Sequence, residues 1–324
     1  MQSTLRHISP HVPQVRPHGF DGSFPQGSFE LHGPQQMDDF FLLAIRALSS
    51  ADQGVLREHS LRMAEHTPVV GTVCSGTDAP ILVLRSFSRA ISRAYSVRSR
   101  FEHAWSCERD AAKRSFLRNM FEGEVRYIFA DAIQLGFCDC VEDTLTKSLV
   151  RLSDNLVDEL FGGFPCQDVS FLNCHNRQNR TVVRDSTQRT GAVYHGIVKY
   201  LRRHRDRISC VLLENVRGLM ARPSRKSSSD RNDSDDFSNL DHCVHLLNQE
   251  GFWVYVALLD PRFFGCPVSR ERVWMLAMPR EKITAVGMTE ADMDQVASRV
   301  IGAITTCQVP NSEIRTVRNH MDHI

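Results

Sequence analysis

Short apolar runs alternate with stretches of helical periodicity along most of the chain. Continuous apolar runs are typical of strands that a parallel sheet buries on both faces, and apolar residues three or four positions apart indicate amphipathic helices. The alternation therefore predicts an α/β fold with a doubly wound, mostly parallel sheet. The predicted strands are Val69–Cys74, Phe101–Cys107, Val125–Phe129, Leu156–Gly162, Cys210–Leu213, Phe252–Leu259 and Val273–Ala277. The predicted helices are Ala79–Tyr95, Arg109–Asn119, Ala192–His204 and Leu240–Glu250.

Composition shifts divide the chain into four parts. Residues 1–37 hold five prolines and four glycines without periodicity, which predicts a disordered tail. Residues 38–66 have helical spacing, and either Asp38 or Asp39 is expected to cap the first helix. The folded core is predicted over 67–280, with a polar, disordered insert at 222–238, and a short helical extension over 281–324.

Charge and apolar content argue against a polycationic, a membrane-spanning or a secreted protein. The formal net charge is +1 and the hydrophobic content 42%, so nucleic-acid affinity requires a local patch rather than a polycationic chain. No apolar run reaches the roughly 18 residues of a membrane-spanning helix, so no membrane association is expected. The first residues lack an apolar signal core, and the 10 cysteines are scattered. We therefore expect a non-secreted protein with reduced thiols, nuclear if eukaryotic and otherwise cytoplasmic.

Acidic residues follow three successive predicted strands. Asp78 lies in the turn after the first strand, where Gly76 permits close approach of a ligand, and Asp78 either caps the next helix or holds a cationic group. Glu108 follows the second strand and Asp131 the third. An acid at such a position accepts hydrogen bonds from ribose hydroxyls, although each alone is also typical of a helix cap. The series predicts a nucleotide-type cofactor site.

Three further segments carry reactive groups. Gly163, Pro165 and their neighbours shape a loop that presents the thiol of Cys166, where an isolated cysteine is otherwise usually an inert core residue. Glu214 ends an apolar strand, a position suited to a proton donor with a raised pKa or to a helix cap. Arg270 and Arg272 alternate just before the last predicted strand and are expected to share one face.

Taken in order, these segments resemble the DNA (cytosine-5) methyltransferase family over roughly residues 68–280. The resemblance is carried by CSGTDAP, SCERD, FADA, GGFPCQDVS, LLENVRGL and FGCPVSRERVWMLA. It implies a Rossmann-like methyltransferase fold, S-adenosyl-L-methionine as cofactor and cytosine in double-stranded DNA as substrate. The implied cofactor-binding residues are Cys74, Ser75, Gly76, Thr77, Asp78, Ala79, Glu108, Asp131, Ala132, Gly163 and Pro165.

The resemblance also implies roles for the reactive groups. Cys166 attacks C6 of a flipped-out cytosine, Glu214 contacts N3 and the exocyclic amine, Arg272 binds the O2 side, and Arg270 helps to hold the site. Residues 177–207 hold nine Arg or Lys against two Asp, which indicates either a solvated helix face or a phosphate-contacting surface. The nucleic-acid contacts assigned on this basis are Gln167, Ser170, Arg177, Arg180, Arg184, Arg202, Arg203 and Arg205.

The sequence departs from the family at several positions. Cys74 stands where the family usually has Phe, and Val268 stands where the family has the Gln of its Gln-x-Arg-x-Arg motif. Only 47 residues follow Ala277 and they contain no Gly-Asn pair. We therefore expect the target-recognition domain to be short or absent, so that either a partner chain supplies recognition or the chain is a truncated or divergent copy.

Two other functions stay open on the sequence alone. One is a catalytically weak relative that binds DNA or regulates a partner, and the other is an RNA cytosine-5 methyltransferase. A zinc site built on Cys138 and Cys140 with Cys166, Cys174 and His175 lacks paired CxxC spacing, so no metal site is predicted.

Overall fold

The computed structural model describes residues 34–171, 182–222, 237–261 and 270–306. The helices are α1 Pro34–Ala47, α2 Ser50–Glu65, α3 Ala79–Tyr95, α4 Ala111–Met120, α5 Ala132–Phe137, α6 Arg189–Arg203, α7 Asn239–Gln249, α8 Arg280–Ala285 and α9 Glu290–Thr306. The strands are β1 Val69–Val73, β2 Glu102–Cys107, β3 Tyr127–Phe129, β4 Cys140–Glu142, β5 Leu149–Arg151, β6 Glu159–Gly162, β7 Cys210–Val216, β8 Phe252–Leu259 and β9 Arg272–Pro279.

Seven of these strands form one sheet in the order β3-β2-β1-β6-β7-β9-β8. The predicted class, an α/β fold with a mostly parallel, doubly wound sheet, is confirmed. The described residues divide into two compact units. The amino-terminal unit holds residues 34–132 and 138–161, and the carboxy-terminal unit holds residues 133–137 and those from 162 onward.

In the amino-terminal unit, β1, β2 and β3 run parallel. Val73 pairs with Cys107 and Cys107 with Phe129, so the three strands end at one edge. Their apolar side chains pack with those of α3 and α4 into a core of Val70, Ile81, Leu117, Phe121, Val125 and Ile128. This shared edge is where ligands bind in open α/β sheets.

The amino-terminal helices differ from the prediction in their bounds and in the role of Asp38. The predicted helical segment at 38–66 consists of two helices, and α1 begins at Pro34, four residues before Asp38. Asp38 therefore does not cap the helix. Its carboxylate accepts hydrogen bonds from Arg89 Nε at 2.6 Å and Nη2 at 2.9 Å, and Asp39 pairs with Arg93 at 2.7 Å. Both acids attach α1 to α3 across the apolar contact of Leu42 and Ile45 with that helix.

A small hairpin of β4 and β5, and the short helix α5, were not predicted. Each strand of the hairpin has three residues, too few to show periodicity. Its turn is organised by the fully buried Asp143, whose side chain accepts hydrogen bonds from the backbone N–H groups of Ile128, Leu145 and Thr146. A tertiary contact to Ile128 thus stabilises the β4–β5 hairpin, which the local sequence does not predict.

In the carboxy-terminal unit, β9 is antiparallel to both of its neighbours. Its register pairs Val216 with Arg272 on β7 and Leu259 with Arg272 on β8. The predicted strand Cys210–Leu213 continues to Val216 because this pairing satisfies three further backbone residues. Glu214 therefore lies within the strand rather than at its end. Trp253, Ile283, Met293 and Ala297 form a core in which α8 and α9 pack on the sheet.

Several sequence-based predictions fall outside the described residues. They are the tail up to residue 33, the insert from 223 to 236, the loop before Arg270, and the segment after 306. Within the part of the chain that the structure describes, no helix has the length and apolar content needed to cross a bilayer.

Candidate functional site

The turn between β1 and α3 has an unusual backbone. Cys74, Gly76 and Asp78 all have positive φ, at 53°, 59° and 54°. The left-handed region is unfavourable for residues other than glycine by roughly 1 kcal/mol or more, and such residues cluster at functional sites. No atom lies within 4 Å of the position that a Cβ on Gly76 would take. The turn is therefore held in a strained form beside open space at the carboxyl edge of the sheet.

Glu108, at the end of β2, holds this turn in place. Its carboxylate accepts one hydrogen bond from Gly76 N at 2.8 Å and another from Asp110 N at 2.9 Å. The side chain is buried, and Asp110 rather than Glu108 caps α4, through a bond from Lys113 N. Asp131 follows β3 and directly precedes Ala132, the first residue of α5. The predicted series of acids at three strand ends is thus present at one edge.

Asp78 does not act as the expected helix cap. It occupies the N-cap position of α3, but its side chain makes no capping hydrogen bond. The carboxylate is fully buried, accepts a hydrogen bond from Ser106 Oγ, and lies 3.6 Å from Nε2 of His103. Burial, reinforced by the charge of Glu108, raises the pKa of Asp78 to about 6 despite hydrogen bonds from Ser106, Thr72 and Ser75.

This raised pKa predicts a pH-dependent stability. The folded chain holds the Asp78 proton more tightly than the ordinary value of 3.8 implies, so the stabilising contribution is present below that pH and is lost as the pH rises through about 6. Asp78→Asn removes the titration and tolerates positive φ. In urea unfolding, the free energy of unfolding of the variant should rise relative to that of the wild type by up to roughly 3 kcal/mol between pH 4 and pH 7. A stability difference independent of pH would contradict the assignment.

The loop that carries Cys166 is fixed by backbone contacts. The carbonyl of Cys166 accepts hydrogen bonds from Val169 N at 3.1 Å and Ser170 N at 2.8 Å. At the start of the loop, Asn215 Nδ2 donates to the carbonyl of Phe164 at 3.1 Å. The thiol belongs to a residue that is partly exposed. The loop is therefore built to present Cys166 rather than to bury it.

Two further contacts attach this loop to its unit. Asp168 Oδ2 accepts hydrogen bonds from Thr190 N at 3.2 Å and Thr190 Oγ1 at 2.6 Å, which holds the loop on the first turn of α6. A Cβ on Gly218 would lie 1.9 Å from the carbonyl oxygen of Val169, so only glycine permits this approach.

Glu214 forms an ion pair with Arg272 across the antiparallel strands. Arg272 Nε lies 2.6 Å from Glu214 Oε1, and Nη1 donates to the carbonyl of Glu271 at 2.9 Å. A Cβ at position 163 would lie 3.1 Å from Glu214 Oε2, so the glycine leaves room for this carboxylate beside the loop. Burial raises the pKa of Glu214, against the opposing charges of Arg272 and Arg270.

Arg270 and Arg272 are positioned by acids on either side. Arg270 N donates to Asp260 Oδ1 at 2.9 Å, and Arg217 pairs with Glu271 at 2.5 Å. The predicted catalytic residues that the structure brings together are thus Glu214 and Arg272, with the Cys166 loop attached to the same strand through Asn215 and Gly163. Asn215, Asp168 and Asp260 were missed, because their roles depend on partners distant in sequence.

Three of the predicted phosphate contacts, near the end of α6, have partners within the protein. The end of α6 and the segment that follows it carry Arg202, Arg203 and Arg205, just before β7 begins. Glu214 lies toward the other end of β7. Arg202 pairs with Glu250 at 3.5 Å and Arg205 with Glu281 at 2.8 Å, while Arg203 donates to the carbonyl of Gly136. Their role as phosphate contacts stays a prediction.

The other predicted contacts have different positions. Arg184 donates to the carbonyl of Phe237 at 3.3 Å. Gln167 is exposed and Ser170 partly exposed, and both belong to the loop of Cys166. Arg177 and Arg180 lie outside the described residues.

Comparison with known proteins assigns the chain to a family. The family model of the C-5 cytosine-specific DNA methylases matches residues 101–321. The DNA (cytosine-5-)-methyltransferase DMT5 of Cryptococcus neoformans var. grubii is 28% identical over 210 residues, which cover 65% of this chain and 8% of that protein. Type II methyltransferase M.MspI of Moraxella sp is 29% identical over 126 residues, 39% of this chain and 25% of that protein.

The chain thus spans only a small part of the curated relatives it matches. Among solved structures, the S. pombe Dnmt2 methyltransferase aligns with 66% of this chain and 50% of its own, at a TM-score of 0.38 and 13% identity. This likeness is loose, and the family assignment rests on the sequence match.

Proposed function

We propose, because this chain belongs to the C-5 cytosine-specific DNA methylase family, that it transfers a methyl group from S-adenosylmethionine to carbon 5 of cytosine in DNA. The observation that carries the proposal is the half-buried pair of Glu214 and Arg272, 2.6 Å apart, beside a loop that presents Cys166. A carboxyl and a guanidinium beside a loop that carries a thiol suit activation of a planar, polar ring.

The residues at the carboxyl edge of β1 to β3 fit this cofactor. The backbone beside Gly76 is open, and Glu108 offers carboxylate oxygens as acceptors for a ribose diol. We assign the cofactor to the turn from Cys74 to Ala79 together with Glu108 and Asp131. When bound, S-adenosylmethionine supplies an electrophilic methyl group.

Cys166 acts as the nucleophile in the proposed mechanism. Its thiolate forms a bond from sulfur to C6 of cytosine, and the electrons of the C5–C6 double bond move so that C5 becomes nucleophilic. Once C5 carries the methyl group, a base removes the C5 proton. The electrons of that bond re-form the double bond, and the sulfur leaves as a thiolate.

Glu214 and Arg272 stabilise the ring during these steps. When the ring is bound, the carboxyl of Glu214 takes up a proton and directs it toward N3, and burial favours this step because it raises the pKa of Glu214. Arg272 keeps one terminal nitrogen, Nη2, without a partner among the described residues, and we assign it to the cytosine O2, where negative charge develops.

We further propose that the cytosine is flipped out of the helix. Enzymes that modify a base inside a duplex extrude it into a pocket, because the target atom is otherwise shielded by stacking. Gln167 and Ser170, which lie on the loop of Cys166, are the described residues best placed to contact the opened strand.

The proposal is tested by methyl transfer from labelled S-adenosylmethionine. The full chain is incubated with duplex DNA, single-stranded DNA and structured RNA of matched sequence. We expect label in cytosine C5 of duplex DNA. Label confined to RNA would instead assign the chain to RNA methylation, and binding of DNA without any transfer would assign it to regulation.

Glu108→Ala is expected to weaken S-adenosylmethionine binding by about 10- to 100-fold. Loss of a hydrogen-bonding carboxylate costs about 1–3 kcal/mol, and here the substitution also releases Gly76 N. Calorimetric titration measures the change. Asp110→Ala is the matched control, because it removes the cap of α4 and should lower stability by about 1 kcal/mol without altering cofactor affinity. Equal cofactor affinities in the Glu108 variant and the wild type would refute this placement.

A further inference from the structure

The cofactor turn, Cys74 to Ala79, is attached to three successive residues at the end of β2. The attached pairs are Ser106 with Asp78, Cys107 with Ser75, and Glu108 with Gly76. The second and third pairs use backbone N–H groups of the turn, whereas the first joins two side chains. A substitution can therefore remove the first pair and leave the backbone contacts of the other two in place.

Asp78 adopts an arrangement that is unfavourable by itself. Its φ of 54° lies in the left-handed region, and its carboxylate is fully buried. It occupies the N-cap position of α3 but makes no capping hydrogen bond there. Strained backbone and buried carboxylates persist only where the surrounding structure holds them, and both are most common at functional sites. The side chain of Asp78 therefore anchors the backbone of the turn instead of the first turn of α3.

His103 completes this anchor from within β2. Above pH 7, Asp78 is mostly ionised and only accepts, because the pKa of its carboxyl is about 6. Ser106 must then donate to Asp78, and His103 Nε2, 2.9 Å from Ser106 Oγ, must donate to Ser106. Burial, with the charge of Arg85, lowers the pKa of His103 to about 4, so the ring is neutral and its proton is assigned to Nε2 from the network. An edge contact with Phe121, at 5.3 Å between ring centroids, fixes the orientation of the ring.

We propose that Ser106 and His103 are positioning residues for S-adenosylmethionine, which act through Asp78 on the backbone of the cofactor turn. The proposal rests on the proposed function, because it requires that this turn holds the cofactor. All three side chains are buried, so none of them is accessible to a bound molecule. Asp78, which the family resemblance implies as a cofactor-binding residue, then serves the cofactor indirectly. It keeps the turn in its left-handed form, with open space beside Gly76.

Calorimetric titration of the full chain with S-adenosylmethionine tests the network through Ser106→Ala. The variant loses the donor to Asp78, and we expect it to bind the cofactor about 10-fold or more weakly. Ser60→Ala is the matched control, because Ser60 is also fully buried and donates to the carbonyl of Leu56 at 2.6 Å, within α2. Its cofactor affinity should stay within about twofold of the wild type.

Two substitutions at His103 separate positioning from general support of the fold. His103→Gln keeps a side-chain N–H that can donate to Ser106, whereas His103→Leu supplies no donor. We expect His103→Leu to weaken cofactor binding about fivefold or more, and His103→Gln to stay within about twofold of the wild type. Leucine also removes Nδ1, which has no partner among the described residues, and packs against Phe121. The urea midpoint of His103→Leu should therefore be no lower than that of His103→Gln, so stability and cofactor affinity should rank the two variants differently.

S-adenosylhomocysteine, as a second ligand, separates position from charge. It lacks the transferred methyl group and the positive charge on sulfur, and it otherwise offers the turn the same groups. Because the network acts on the backbone, Ser106→Ala should weaken both ligands by the same factor. A loss confined to S-adenosylmethionine would show that Asp78 acts through its charge alone and would overturn the proposal.

Three further results would overturn it. They are unchanged cofactor affinity in Ser106→Ala, equal losses in the Ser106 and Ser60 variants, and equal losses in the two His103 variants. If Ser106→Ala does not fold, the two His103 variants decide the question by themselves. A wild type that binds no S-adenosylmethionine would refute the proposed function and this network with it, whereas a wild type that binds it as tightly as Ser106→Ala does would refute the network alone.

Discussion

Cys166→Ser is expected to lower methyl transfer by at least about 1,000-fold while leaving S-adenosylmethionine affinity within about twofold. A hydroxyl is a far weaker nucleophile than a thiolate at neutral pH, and the chain holds the loop through backbone bonds that serine preserves. Labelled methyl incorporation measures the rate, and calorimetry measures the cofactor affinity.

Cys140→Ser is the matched control for this variant. Cys140 is an exposed thiol in the β4–β5 hairpin and lies outside the proposed site, so its loss should leave the rate unchanged. Wild-type rates in the Cys166 variant, or an equal loss in the Cys140 variant, would remove Cys166 from the mechanism.

Glu214→Gln is expected to lower kcat by about 100- to 1,000-fold with little change in cofactor affinity. The amide keeps the shape of the side chain but supplies no acidic proton to N3, and it leaves Arg272 without its ion-pair partner. Glu281→Gln is the control, since it breaks a comparable pair with Arg205, at 2.8 Å, near the other edge of the sheet. Its rate should match the wild type.

The pH profile separates a chemical role of Glu214 from a structural one. Because burial raises its pKa and the protonated form is the active one, the wild-type rate should fall as the pH rises through that pKa. In Glu214→Gln this limb should disappear. A variant that is slow but retains the wild-type profile would show that Glu214 only supports the fold.

The order of strands and helices was predictable because most core elements show an apolar run or a helical period, and even the three-residue β3 lies within the predicted strand Val125–Phe129. Helix α3 was predicted over Ala79–Tyr95 and is found there, and the strand over Phe252–Leu259 likewise matches β8. The β4–β5 hairpin was not predictable, since each of its strands buries only its middle residue and Asp143 organises their turn by binding Ile128. Burial in the sheet, as well as the length of the pattern, thus decided which elements could be predicted.

Within the site, the contacts of the predicted residues were harder to predict from the sequence than their positions at the ends of strands. The position of Asp78 before α3 is typical of a helix cap. Its side chain instead turns inward to Ser106, a contact that the local sequence does not predict. The arginines at the end of α6 suggested phosphate contacts, whereas Arg202 and Arg205 pair with acids brought near by α7 and α8. In both cases a partner distant in sequence determines where the side chain points.

The central claim is that Cys166 bonds covalently to cytosine, and a mechanism-based adduct tests it most directly. The chain is incubated with S-adenosylmethionine and a duplex that carries 5-fluorocytosine, whose fluorine cannot leave as the C5 proton does. The account predicts a complex that survives denaturing electrophoresis, with the oligonucleotide attached to the peptide containing Cys166. Methyl transfer to ordinary cytosine with no adduct on the fluorinated duplex, or an adduct on another cysteine such as Cys140, would contradict it.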